Sequence, residues 1–171
     1  KAISEVIENK KKIKELVDRE TFVKKITNAT NATVVKAVEY EVPSLLDEAT
    51  AGAEAMIMFL NSRSRQQTKD NVNKFFVSEF AFPQTIDVVK GRAANLGIEL
   101  VIGNPENFEG DNSFFGALIQ YPDAFGRIKD IEGFIQKAKT HDIQVAVAAD
   151  IMSLVLLKSP GSLGADVVFG S

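Results

Sequence analysis

The sequence contains no cysteine, which excludes disulfides, thiolate metal sites and cysteine nucleophiles together. It contains one histidine, His141, so a multi-histidine metal site and a catalytic histidine pair are excluded as well. No apolar run approaches the roughly 20 residues needed to span a bilayer. Neither sign of charge dominates: 20 Lys and Arg stand against 23 Asp and Glu, a formal net charge of -3. That balance gives no electrostatic footprint for nucleic acid or an anionic membrane. The chain opens on Lys1-Ala2-Ile3-Ser4-Glu5, charged and acidic within five residues, unlike a secretory signal. A reducing, cytoplasmic type of compartment is the expectation. The tandem Asn28-Ala29-Thr30 and Asn31-Ala32-Thr33 match a glycosylation pattern, and without a secretion signal they read as a polar turn.

What is present is ordinary for a folded domain. Hydrophobic residues are 45% and charged residues 25% of 171 positions, close to the globular average. A domain of this size buries about 70% of its unfolded surface and needs no covalent staple.

Apolar residues Ile3, Val6, Ile7, Ile13, Leu16 and Val17 recur at spacings of three and four, which predicts an amphipathic helix. Its lysines at 10, 11, 12 and 14 are flanked by Glu5, Glu8 and Glu15, so they form a solvated face. Residues 33–42 alternate and are rich in β-branched side chains, predicting a strand that Pro43 ends. Ser44, three residues before Asp47, approximates the capping box of a helix. That helix is dense in small residues through Ala55 and exits through a polar stretch at 63–71.

From Lys74 onward strands and helices alternate. Strands are predicted at 75–78, 98–102, 115–121, 144–149 and 166–169, with helices at 84–95, 129–140 and 151–157. Pro83 stands at a first-turn position and Gly97 at a C-cap. Continuous apolar strands separated by helices predict an α/β fold, a mostly parallel sheet with helices on both faces. Ligands of such sheets bind beyond the carboxyl ends of the strands, an edge that carries Ser78, Gly103, Tyr121, Asp150 and Gly170.

Few residues on that edge point to chemistry. Gly161-Ser-Leu-Gly164 follows a predicted helix instead of a strand, so it fits neither phosphate-binding fingerprint. His141 falls at a helix C-terminus, where the dipole favours a positive side chain. Asp150 ends a buried strand. It could meet a ribose, a phosphate-linked metal or a protonated pyridine nitrogen, or it could be the N-cap of the following helix, which suits Asp as well. Thr50 and Ala51, near a helix start, could offer backbone N–H groups to a phosphate, or simply pack.

The segment Ser44-Leu-Leu-Asp-Glu-Ala-Thr-Ala-Gly-Ala-Glu-Ala-Met56 resembles the glycine-cleavage P-protein family, the pyridoxal-phosphate-dependent glycine decarboxylases. So do Lys74-Phe-Phe-Val-Ser-Glu79, Leu96-Gly-Ile-Glu-Leu-Val-Ile-Gly103, Phe115-Gly-Ala-Leu-Ile-Gln-Tyr-Pro122, Ala148-Ala-Asp150 and Leu156-Leu-Lys-Ser-Pro-Gly161. The matched stretch runs from Ser44 to Ser171 and is similar to the N-terminal, non-catalytic half of that family, which has lost the Schiff-base lysine. The resemblance implies part of a fold-type-I pyridoxal-phosphate transferase large domain. It implies that Asp150 stands where active members pair an acid with the cofactor's pyridine nitrogen, and that Thr50 stands at the phosphate-binding helix start. Lys158 falls too early to serve as the cofactor lysine.

The implied partners are the catalytic half of the P-protein and the lipoyl-carrying H-protein, in the cytoplasm or, for a eukaryotic parent, the mitochondrial matrix. The expectation is a fragment or truncated relative that is catalytically incomplete and binds no pyridoxal phosphate itself. Two departures stand out. Phe80-Ala81-Phe82 replaces a polar, histidine-bearing stretch before Pro83, and residues 1–43 do not match the family's lead-in. The alternative is a non-catalytic structural, interaction or engineered α/β module. A receiver-like or flavodoxin-like binding domain is a third reading, suggested by fold pattern alone.

Overall fold

The computed structural model describes residues 47–170. The helix expected near the N-terminus, the turn at 28–31, the strand at 33–42 and the Ser44 cap lie outside the described residues.

Helix α1 (Glu48–Asn61) starts at Asp47, whose carboxylate accepts from the Thr50 N–H at 2.7 Å. Its buried face is built of Ala49, Gly52, Ala53, Ala55, Met56 and Phe59. The small residues bring the helix backbone close to the sheet. A Cβ at Gly52 would lie 3.1 Å from Leu118 Cδ1 and 3.3 Å from Thr85 Cγ2. The polar exit contains a short helix, α2 (Arg65–Lys69), that the hydrophobic pattern does not announce. Its signal is local: Ser64 and Gln67 form a reciprocal capping box, the S-x-x-Q arrangement that satisfies two orphan amides at once.

Strand β1 (Lys74–Ser78) leads into helix α3 (Pro83–Leu96), with Pro83 in the first turn and Gly97 in the left-handed region (φ 67°) as its C-cap. Strands β2 (Glu99–Gly103) and β3 (Phe114–Tyr121) follow, then helix α4 (Ile131–Lys139), strand β4 (Gln144–Ala149) and strand β5 (Val167–Phe169). All pairings are parallel and the strand order is β2-β1-β3-β4-β5. The Tyr121–Pro122 peptide is cis.

Because strand side chains alternate between faces, the sheet makes two cores. Phe75, Val77, Phe115, Leu118 and Ala146 pack under α1 and α3 with Met56, Phe59, Val89 and Ala93. Phe76, Ala117, Ile119, Val145 and Val147 pack against Ile131, Phe134, Ile135 and Ala138 of α4. The parallel α/β architecture with helices on both faces is therefore the one the sequence predicts.

One element differs. The helix expected at 151–157 is a turn followed by a single 3₁₀ turn, Ser153–Val155. Asp150 is the reason. Its Oδ1 accepts from the Met152 N–H at 2.8 Å, and its carbonyl accepts from the Ser153 hydroxyl at 2.6 Å. These local bonds compete with helix propagation, and Pro160 follows too soon for another start.

The tightest point of the sheet tests this packing. A Cβ at Gly116 in β3 would stand 2.8 Å from ring carbons of both Phe59 and Phe75. Gly116→Ala is expected to destabilise the domain by about 1–3 kcal/mol, the usual cost of overpacking, read as a lower urea midpoint at unchanged slope.

Candidate functional site

The carboxyl edge of the sheet gathers the site residues. Its left and right flanks diverge because β1 feeds α3 on one face while β3 feeds α4 on the other. The start of α1 reaches the same edge, since the charge of Asp150 is felt at Glu48 in its first turn. The two sequence-derived candidates, Thr50 and Asp150, thus sit on converging elements. Asp150 is exposed, one residue past β4, and its N–H donates to the Tyr121 carbonyl at 3.2 Å. The Thr50 N–H is committed to the Asp47 carboxylate.

Sequence reasoning did not single out Glu48 and Gln120. Gln120 is buried in β3 and its Oε1 has no hydrogen-bond partner; one oxygen of Glu48 is equally orphaned. Burial raises the Glu48 carboxyl above its ordinary pKa; a hydrogen bond from Gln120 offsets part of that and the Asp150 charge adds to it. The Glu-Ala-Thr run reads as helix start in any sequence pattern, so only the approach of β3 and β4 reveals the acid's setting. Asp47, Glu48 and Asp150 form no ion pair among the described residues. No cluster of three metal-ligating side chains occurs among them either.

His141 lies just past α4 and before β4, at the amino edge of the sheet, with Nδ1 3.4 Å from Asn112 Oδ1. It is on the opposite edge from Asp150, so the two cannot cooperate in one site. Lys158 is exposed in the turn after the 3₁₀ segment. No helix of the described residues is long and apolar enough to cross a membrane.

A second arrangement on the edge is rigid. The Asp123 carboxylate is 5% exposed and accepts from the N–H groups of Phe125 and Arg127, both at 2.9 Å, and from Arg127 Nε at 2.7 Å. The Arg127 guanidinium lies over the rings of Phe80 and Phe125, 4.5 and 4.9 Å from their centroids. Phe80 ties the loop after β3 to the end of β1. The loop presents Phe125 and Ile128 to solvent.

A five-stranded parallel sheet with helices on both faces is an α/β scaffold, and the solved structures it matches are pyridoxal-phosphate enzymes of fold type I. The crystal structure of an inhibitor-bound glycine decarboxylase, the P-protein of the glycine cleavage system, superposes with a TM-score of 0.64 at 25% identity, over 73% of this chain and 28% of that one. A Campylobacter jejuni protein assigned as an O-acetylhomoserine (thiol)-lyase, solved with a pyridoxyl-lysine phosphate, shares the fold at TM-score 0.55 and 21% identity, over 70% of this chain and 30% of that one. The glycine dehydrogenase (decarboxylating) of Flavobacterium johnsoniae is 50% identical over 141 residues, 81% of this chain and 15% of that protein.

The family model for the glycine cleavage system P-protein matches residues 12–171. The chain belongs to the glycine cleavage system P-protein family. The match begins ahead of Ser44, where the motif resemblance starts. The chain spans about one seventh of the length of the curated relative from Flavobacterium johnsoniae.

The buried carboxylate of Asp123 carries a pH dependence. Burial pushes its pKa up, but the hydrogen bonds from Arg127 and Phe125 outweigh burial and hold it below the ordinary value. A carboxyl depressed in the folded state adds stability above its unfolded pKa and loses it as pH falls through the folded one. Asp123→Asn is expected to cost about 1–3 kcal/mol near neutral pH. The cost should shrink on acidification, so that wild-type and variant thermal midpoints converge below the carboxylate range.

Proposed function

We propose that this chain is the α/β core of the non-catalytic half of a glycine cleavage P-protein, and that it holds no pyridoxal phosphate of its own. One observation carries the reading: the helix start that would receive the cofactor's phosphate is closed by a carboxylate. Phosphate sites at helix N-termini work by offering free N–H groups and the positive end of the dipole. Here Asp47 takes the Thr50 N–H, and Glu48 and Asp150 add two more acids nearby. A phosphate dianion would displace the charge-assisted cap and then face the Asp47 carboxylate, with Asp150 nearby. The residues present do not fit it.

Asp150 is compatible with the same reading. An acid here needs no pyridine ring to explain it, because it organises the turn after β4 through Met152 and Ser153. Pyridoxal phosphate would serve as an electron sink in the catalytic half, with the protein supplying orientation. This chain's part is structural: a rigid sheet whose carboxyl edge supports the other half. The partners of that reading are the lysine-bearing half of the P-protein and the lipoyl-carrying H-protein, both in the cytoplasm of a bacterial cell.

Titration of the chain with pyridoxal phosphate tests this. The expected result is no saturable visible absorbance band and no shift in thermal midpoint. A saturable band that disappears in Asp150→Asn would sink the proposal. The carboxylate argument has its own control: Asp47→Ser keeps a cap but removes the charge, and should raise the affinity of inorganic phosphate for the α1 start. No gain, followed by amide shifts at residues 48–52, would show that the acids are not what closes it.

A further inference from the structure

The sheet changes direction between β1 and β3, and the chain leaves those two strands on opposite faces. In open parallel sheets the crevice at such a reversal is where ligands enter. A cavity of about 290 Å³ lies there, on the α4 face, away from Asp47, Glu48 and Thr50. That is the small end of the range for sites that enclose a ligand. The cavity takes no part in the phosphate argument above, so neither reading depends on the other.

Its floor is apolar and fixed. Ile119, Ile131 and Phe134 are each under 8% exposed and belong to the core beneath α4. Phe80, held by Arg127 stacking, closes the β1 side.

The polar groups on the wall sort into committed and available ones. Asp123 is saturated by its own loop, and Asp130 accepts from the Gly133 N–H at 2.9 Å as the cap of α4. Glu106 is bonded to Lys129 at 2.7 Å. Asn104 uses only its Oδ1, which accepts from the Glu106 N–H at 2.9 Å. Its amide NH₂ has no partner among the described residues. Lys137 is loosely held, 3.6 Å from a Glu109 carboxylate that is itself 91% exposed and not part of the cavity. Such a pair is worth little and exchanges readily.

The free donors are therefore the Ser78 hydroxyl, the Asn104 amide and the Lys137 ammonium, above an apolar floor; Gln120 also lines the cavity, and its Oε1 has no partner among the described residues. We infer that this crevice is a binding site for a small carboxylic acid with a compact apolar body. The body rests on Ile119 and Phe134, and the carboxylate accepts from the Asn104 amide and the Lys137 ammonium. A cationic or neutral molecule of the same shape would leave those donors unpaired, which is how such a site discriminates.

Benzoate, benzylamine and benzyl alcohol share a ring and differ in charge, so they separate the classes. Each would be titrated into the ¹⁵N-labelled full-length chain and followed by amide correlation spectra. Benzoate is expected to give saturable shifts confined to Ser78, Asn104 and residues 131–137, with benzylamine and benzyl alcohol at least about tenfold weaker. Lys137→Met keeps the stem and removes the charge. It should weaken benzoate about tenfold, the equivalent of one charge-assisted bond, and Asn104→Ala should weaken it by a smaller factor. The amide spectrum of each variant reports whether it is folded. No saturable shift with benzoate overturns the site, and benzylamine binding as well as benzoate overturns its ligand class. Benzoate shifts centred on residues 47–52 or 150–153 would instead place anion binding where the acids were argued to forbid it, and would overturn the earlier reading along with this one.

Discussion

Everything in this molecule follows from β3 being covered on both faces. All eight residues from Phe114 to Tyr121 are buried. A strand with no wet face cannot alternate polar and apolar residues. It is apolar except for Gln120 near its carboxyl end, and it sits between two helical layers. That requirement places α1 and α3 on one side and α4 on the other. It also forces the close approach at Gly116, where only a hydrogen can face the rings of Phe59 and Phe75. Polar side chains are thereby expelled to the strand ends, and the carboxyl edge becomes the place where any chemistry has to be.

What collects at that edge is a set of acids, some paired with cations and some not. Two kinds of carboxylate behave differently there. Asp123 is buried but surrounded by donors, so its charge is stabilised and its loop is rigid. Glu48 is half-buried with one orphaned oxygen and Asp150 as a neighbour, so its charged form is disfavoured. The same sheet edge holds a satisfied carboxylate and a frustrated one within one structure. The satisfied one fixes a loop. The frustrated one leaves a buried oxygen without a partner at the α1 start.

Much of the fold was legible in the sequence because it is written as period and punctuation. Continuous apolar runs marked the strands, Pro83 marked the first turn of α3 and Gly97 its end. Three things were not legible. α2 has no apolar face, and only the Ser64–Gln67 pairing specifies it. The segment after Asp150 has helical composition, with Ile151, Met152, Leu154 and Leu156, but its first bonds are made by a side chain and tie a turn instead. Glu48 and Gln120 lie more than 70 positions apart in the sequence, and nothing local says that they share a site. Asp150 and Thr50 could be named from the sequence by resemblance to a family. Their hydrogen bonds, which decide what they can do, could not.

Asp150 is held in place by the fold itself. An aspartate at a strand end on a ligand edge reads as a pyridine-binding acid. In this chain its Oδ1 and its carbonyl are spent on Met152 and Ser153, and its N–H on the Tyr121 carbonyl. Those three bonds close the turn that carries the chain away from β4 beside the loop after β3. Losing Asp150 would leave the Met152 N–H without its acceptor at the mouth of the sheet. The turn after β4 therefore depends on Asp150 whatever else its exposed carboxylate meets.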